Sequence, residues 1–138
     1  MNKTEQKRIL LVDTNPLFLK RLALELRARN LDVVATGSGA QAFHFLRDWD
    51  RPIDWLFSRA TLPGLIDGWI LADEYHDSHP NRGAVIAASQ ARVSAQGHII
   101  LKDPSPTAVL DTMRGIMAQN QSSEVSSHTE RDEERLAA

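Results

Sequence analysis

Few side chains in this sequence are of a type and spacing that could do chemistry. His76 and His79, two of five histidines, stand three apart at the end of a helical stretch, as two ligands of a metal site would. No carboxylate or third nitrogen stands at convincing spacing from them, so they read as solvated helix-end histidines, and no metal is expected. Asp13-Thr14-Asn15-Pro16 follows the first apolar run, where a nucleotide-binding chain would carry a glycine-rich loop. No nucleophile and base are spaced for hydrolysis either, so an enzyme is not expected and no cofactor is implied. The absence of cysteine excludes disulfides, thiolate zinc sites and cysteine nucleophiles. Of the three tryptophans, Trp55 lies in an apolar run and Trp69 at an apolar helical position, which points to core packing. Trp49, flanked by charges, is the one expected to meet a partner.

The elements that must position these residues follow from periodicity. Ile9-Leu10-Leu11-Val12 is a continuous apolar run, the pattern of a strand buried on both faces, and it ends at Asp13. Asn15 as cap and Pro16 at the first helical position then open a helix carrying Phe18, Leu22 and Leu26, predicted to end near Asn30. Val33 to Thr36 reads as a second strand, Ser38 as a cap, and Ala42, Phe45 and Leu46 as the inward stripe of a second helix. Trp55-Leu56-Phe57 forms a third strand, and a loop through Pro63, Gly64 and Gly68 leads to a helix with Trp69, Ile70 and Leu71, stopped by Pro80. Ala84 to Ala88 and Ile99 to Leu101 give strands four and five. Ser105-Pro106 starts a last helix, with Val109, Leu110, Met113, Ile116 and Met117 inward. Regular alternation of strand and helix implies a parallel sheet covered by helices.

The 138 residues suit one domain, 1–119, followed by a polar tail, 120–138, that is disordered or holds a short helix. Hydrophobic residues at 42% and charged residues at 25% are ordinary globular values. A net charge of -2 offers no basic excess for a phosphate backbone, so no direct nucleic-acid partner is expected. No apolar run is long enough for a signal peptide or membrane span, which suits a cytoplasmic protein without membrane contact.

Over roughly Lys7 to Gln119 the element order resembles the response-regulator receiver (CheY-like) domain. The matching residues are Leu10-Leu11-Val12-Asp13, Leu62-Pro63-Gly64 with Asp67-Gly68, and Leu101-Lys102. The resemblance implies an α/β flavodoxin-like fold, a doubly wound five-stranded parallel sheet in the order 2-1-3-4-5, with its site at the carboxyl ends of strands one, three and four.

In that family two acids after strand one and an acceptor aspartate ending strand three gather around magnesium, so that charge is neutralised on both sides of phosphoryl transfer. Here the first acid is Asp13, but the second position holds the neutral Thr14. The acceptor lies five residues beyond the acid opening strand three and four before the loop proline; from Asp54 and from Pro63 both counts reach Arg59. A guanidinium stays protonated and offers no nucleophilic oxygen. By the same resemblance Ser89 takes the place of the switch hydroxyl, read here as a turn or cap residue, and Lys102 that of the site lysine. Asp13 is then a relic, part of a weak cation site, or a salt-bridge partner of Arg59. The pair is favoured, since both side chains project from neighbouring strand ends. Lys102 either points into the same pocket or is a surface lysine.

Only 13 positions separate Ser89 from Lys102, short of the family's spacing by about one helix, so the family's fourth helix is expected to be absent or reduced within Gln90 to Gly97. That would leave one face of Ala84 to Ala88 bare and favour self-association through Val93, Ile99 and the outer face of the last helix. Ile99 occupies the place of an aromatic switch residue. Leu65-Ile66 lengthens the loop before Asp67-Gly68 by one residue. The expected function is a phosphorylation-independent pseudo-receiver, acting in bacterial signal transduction or transcriptional regulation as a protein-interaction or dimerisation module. Its partner would be a protein of such a system, or a second copy in a homodimer. The alternative is a small flavodoxin-like enzyme or an anion- or nucleotide-binding protein using Arg59 and Lys102 in the strand-end crevice. A third reading is a fragment whose tail leads to an effector domain.

Overall fold

The computed structural model describes residues 6–90 and 97–119. The elements are β1 (Arg8–Val12), α1 (Pro16–Arg27), β2 (Asp32–Thr36), α2 (Gly39–Leu46), β3 (Trp55–Arg59), α3 (Gly68–Ser78), β4 (Val85–Ala88) and β5 (Ile99–Lys102). A helix over residues 106–119, α4, follows β5. The five strands are parallel throughout and lie in the order β2-β1-β3-β4-β5, the expected doubly wound arrangement. Because side chains alternate across a strand, each strand supplies two cores. Ile9, Leu11, Trp55, Phe57, Val85 and Ala87 pack with α1 and α4, through Phe18, Leu22, Leu26, Val109 and Met113. Leu10, Val12, Leu56, Ile86 and Ala88 pack on the other face with Ala42 and Leu46 of α2 and Leu71, Ala72 and Tyr75 of α3. β1 is buried at every position, which explains its unbroken apolar run.

Three helix starts carry the chemistry expected of them, and Asp67 adds a cap not read from the sequence. Asn15 accepts from the amides of Leu17 and Phe18, Ser38 from Gln41, Asp67 from Ile70 and Ser105 from Ala108. α1 stops at Arg27 rather than near Asn30, because residues 28–30 wind into a turn. Asn30 there takes a left-handed φ of 65°, and the Leu31 amide closes back on the Leu26 carbonyl. Phe45, expected on the inward stripe of α2, is only half-buried, and Ile70 of α3 is exposed.

A second correction concerns β4. It is not bare on either face: all four residues are buried, Val85 and Ala87 in one core and Ile86 and Ala88 in the other, where α3 covers them. The connection from β4 to β5 occupies residues 89–98, while a parallel crossover with its own helix usually takes a dozen or more. What this leaves under-covered is β5, an edge strand whose residues are half-buried or exposed. The expected loss of the fourth helix bears on residues of which 91–96, with Val93, lie outside the described residues, as does the tail 120–138.

Candidate functional site

The carboxyl ends of β1 and β3 are adjacent, with Val12 in register with Ser58, so the residues just beyond them share one crevice. Asp13 follows the last residue of β1. Its amide is held by the Thr36 carbonyl at 3.2 Å, and its side chain has no solvent exposure. Arg59 ends β3, in register with Ala87 of β4, and its side chain keeps 28% exposure. Two guanidinium nitrogens converge on one carboxylate oxygen: Arg59 Nε donates to Asp13 Oδ2 at 2.9 Å, and Nη2 lies 2.8 Å from the same atom. The other oxygen, Oδ1, accepts the Asn15 amide at 2.9 Å. Both oxygens of this buried carboxylate are therefore occupied by donors, as burial of a charge demands.

Apolar packing fixes the cation. The guanidinium carbon stands 5.4 Å from the centre of the Phe18 ring, within cation–π range, and Phe18 stacks on Phe57 at 6.0 Å. α1 thus supplies a platform for Arg59 while its cap, Asn15, supplies a donor to Asp13. The loop after β3 is held close. A Cβ at Gly68 would lie 2.1 Å from the Arg59 carbonyl oxygen, and one at Gly39 would lie 1.9 Å from that of Ile66, so only glycine lets α3 and α2 start there. In that loop Leu65 is turned outward, to 96% exposure, while Ile66 packs on the core.

The remaining positions predicted for the site do not join the pair. Thr14 and Ser89 are exposed. Lys102 is exposed at the end of β5, in register with Ala88, and its side chain makes no ion pair or hydrogen bond with a described residue. These residues do not fit a magnesium ion. A hard cation wants several anionic oxygens, whereas the crevice holds one carboxylate already taken by a guanidinium. No group of three or more histidine, cysteine, aspartate or glutamate side chains suited to a metal occurs among the described residues. No helix among them is long and apolar enough to cross a membrane.

Sequence reasoning missed a polar cluster at the amino end of the sheet. Asp54 Oδ2 accepts the Arg8 amide at 2.8 Å, and the Asp54 carbonyl accepts both the Tyr75 hydroxyl at 2.7 Å and Arg82 Nη1 at 3.2 Å. Arg82 also lies over Trp55 at 4.6 Å. Burial pushes the Tyr75 hydroxyl well above the usual tyrosine range, against the opposing pull of Arg82. Nearby, His98 Nδ1 accepts the Ala84 amide at 2.9 Å, and its ring meets that of His76 edge-on at 5.7 Å. The contact of His76 with His98 was illegible because 22 positions separate them and only the β4–β5 pairing brings them together.

The architecture and the strand-end crevice define the receiver (CheY-like) fold. A response regulator receiver protein from Sinorhizobium medicae WSM419 superimposes with a TM-score of 0.73 at 23% identity, over 84% of this chain and 98% of that one. The signal receiver domain of an HD domain-containing protein from Pseudomonas fluorescens Pf-5 gives 0.68 at 24% identity, over 86% and 99%. A CheY-like receiver domain from Methanospirillum hungatei JF-1 gives 0.72 at 16% identity, over 86% and 99%. No protein-family model matches the sequence, and no curated protein does.

Proposed function

We propose that this chain is a pseudo-receiver that works without phosphorylation, by binding another protein in bacterial signal transduction or transcriptional regulation. One observation carries the reading: Arg59 occupies the strand-three end where a receiver accepts the phosphoryl group, and it is engaged with the buried Asp13. A fixed guanidinium there does for Asp13 what a metal does elsewhere, neutralising its charge, and it leaves no nucleophilic oxygen at the acceptor position. Exchange with water or ion would require breaking a charge-assisted contact, so the crevice is held in one state. Thr14, Ser89 and Lys102 belong to the same retired site, as positions without their former chemistry.

The protein is accordingly expected to gain no aspartyl-type adduct on incubation with acetyl phosphate and magnesium. Intact mass spectrometry checks this, and an acid-stable, base-labile gain of one phosphoryl group would defeat the reading. Self-association belongs to the proposal as well, now along β5, where Ile99 is exposed and Ile100 is half-buried at a sheet edge. Sedimentation over a range of concentrations tests it: a dimer abolished by Ile99→Glu without unfolding is expected, and a strict monomer counts against it.

A further inference from the structure

At the amino end of the sheet, far from the Asp13–Arg59 pair, the loop between α2 and β3 stands off from the end of α3. Between them lies a half-open pocket of about 200 Å³. Leu46, Pro52 and Ile53 give it apolar walls. Tyr75 and His79, whose rings stack at 4.7 Å, give it an aromatic wall, and Trp49 lines it while leaving 62% of its own surface in water. We infer that this pocket is a binding site for a small, neutral, planar aromatic molecule of one or two rings that carries an N–H or O–H donor.

Size and chemistry fix the ligand class. An apolar cavity of about 150 Å³ suffices to take up benzene, so this half-open space of about 200 Å³ admits a single ring or a small fused pair. A flat ring entering it meets the Tyr75–His79 stack and Trp49, and aromatic pairs gain beyond their buried area. No carboxylate, ammonium or guanidinium lines the pocket, which disfavours a charged ligand. The polar side-chain groups of its lining are the Ser78 hydroxyl, the Trp49 indole N–H, the His79 imidazole and the Tyr75 hydroxyl, the last already donated to the Asp54 carbonyl. His79 Nδ1 lies 3.3 Å from the Tyr75 carbonyl, which assigns its proton to that nitrogen and leaves Nε2 as the acceptor of the ring. Burial lowers the His79 pKa and so keeps this acceptor neutral near pH 7. An acceptor wants a donor, hence an indole-like or phenol-like ligand rather than a plain hydrocarbon. Trp49 stands exposed where a ligand would bury it. The inference is independent of the state of Arg59.

The test is a titration of the ¹⁵N-labelled full chain, followed by amide and indole shifts, with indole, p-cresol, toluene and benzoate in separate experiments. Saturable shifts are expected for indole and p-cresol at Ile53, Tyr75, His79 and the Trp49 side chain. Toluene should bind about fivefold more weakly for want of the donor, and benzoate more weakly still. Trp49→Ala and Ser78→Trp, both at exposed positions, should weaken indole binding at least about fivefold, the first by removing a wall and the second by filling the mouth. Shifts that do not saturate, that fall elsewhere, that are as tight for toluene or benzoate as for indole, or that survive unchanged in both variants would each overturn the inference.

Discussion

At the carboxyl end of the sheet one guanidinium meets one buried carboxylate, whereas at the amino end the polar groups of Asp54 are shared among Arg8, Tyr75 and Arg82. Both ends solve the same problem, since strand ends carry backbone and side-chain polar groups into a nearly dry interior. The amino end solves it redundantly. The Asp54 carbonyl has two donors, and Arg8 is further tied to the Arg51 carbonyl at 2.7 Å and lies 3.3 Å from Asp32. At the carboxyl end the Asp13 charge has one counter-ion among the described residues, helped by the Asn15 amide. A single substitution should therefore damage the carboxyl end far more than the amino end.

The largest effect is expected from Arg59→Met, which keeps the packing on Phe18 but leaves the Asp13 carboxylate buried and unpaired, at roughly 3 kcal/mol or more in urea unfolding. Asp13→Ala should cost less, on the order of 1–2 kcal/mol, because the released guanidinium already reaches solvent and can hydrate there. The asymmetry sharpens the comparison, since the fully buried partner is the one that cannot be left alone. A loss below about 1 kcal/mol in Arg59→Met would mean that the pair is not what closes this end.

How far this was legible depends on the range of the interactions. β1 was readable because Ile9 to Val12 is apolar at every position, and the starts at Asn15, Ser38 and Ser105 because these side chains act within three residues of themselves. The Asp13–Arg59 contact was reachable through the receiver resemblance, whose spacings counted from Asp54 and from Pro63 both fall on Arg59. The burial of β4 was not, because it depends on how closely α3 lies over Ala84, Ile86 and Ala88. Nor was the role of Asp54, which reads in sequence as a strand opener and proves to be an acceptor for residues 21 and 28 positions away.

At the amino end, Tyr75→Phe removes one of the two side-chain donors on the Asp54 carbonyl while Arg82 remains, so a loss of about 1 kcal/mol is expected. A cost above roughly 3 kcal/mol would show that the redundancy is only geometric. Tyr75 is the only tyrosine of the chain, so its ionisation can be followed in the ultraviolet without interference. Its folded pKa is raised by burial, so the neutral hydroxyl contributes stability that is fully present below about pH 10, the unfolded value, and is lost as the pH climbs above it. The native protein should show no tyrosinate near pH 10, and the absorbance rise should coincide with unfolding. A separate titration near the ordinary value would contradict the burial of that hydroxyl.

The smallest effect sits where β5 begins. His98 Nδ1 accepts the Ala84 amide, so the ring must be neutral with its proton on Nε2. Burial lowers its pKa, the neighbouring His76 adds to the shift, and Asp73 opposes it. A depressed folded pKa means that the unfolded chain binds the proton more tightly. The contribution of His98 is thus present above the unfolded value, about 6.5, and is lost as the pH falls through the folded one. His79, lowered by burial likewise, acts in the same direction. The urea midpoint is therefore expected to fall between about pH 7.5 and about pH 5, and His98→Gln should make that fall shallower without abolishing it, since His79 remains. Glutamine can still accept the Ala84 amide, so the variant should lose under about 1 kcal/mol at the higher pH. Equal slopes for the two proteins would place the acid sensitivity elsewhere. A shallower slope would instead mark the β4–β5 edge, where the sheet is least covered, as the part of the fold that acid loosens first.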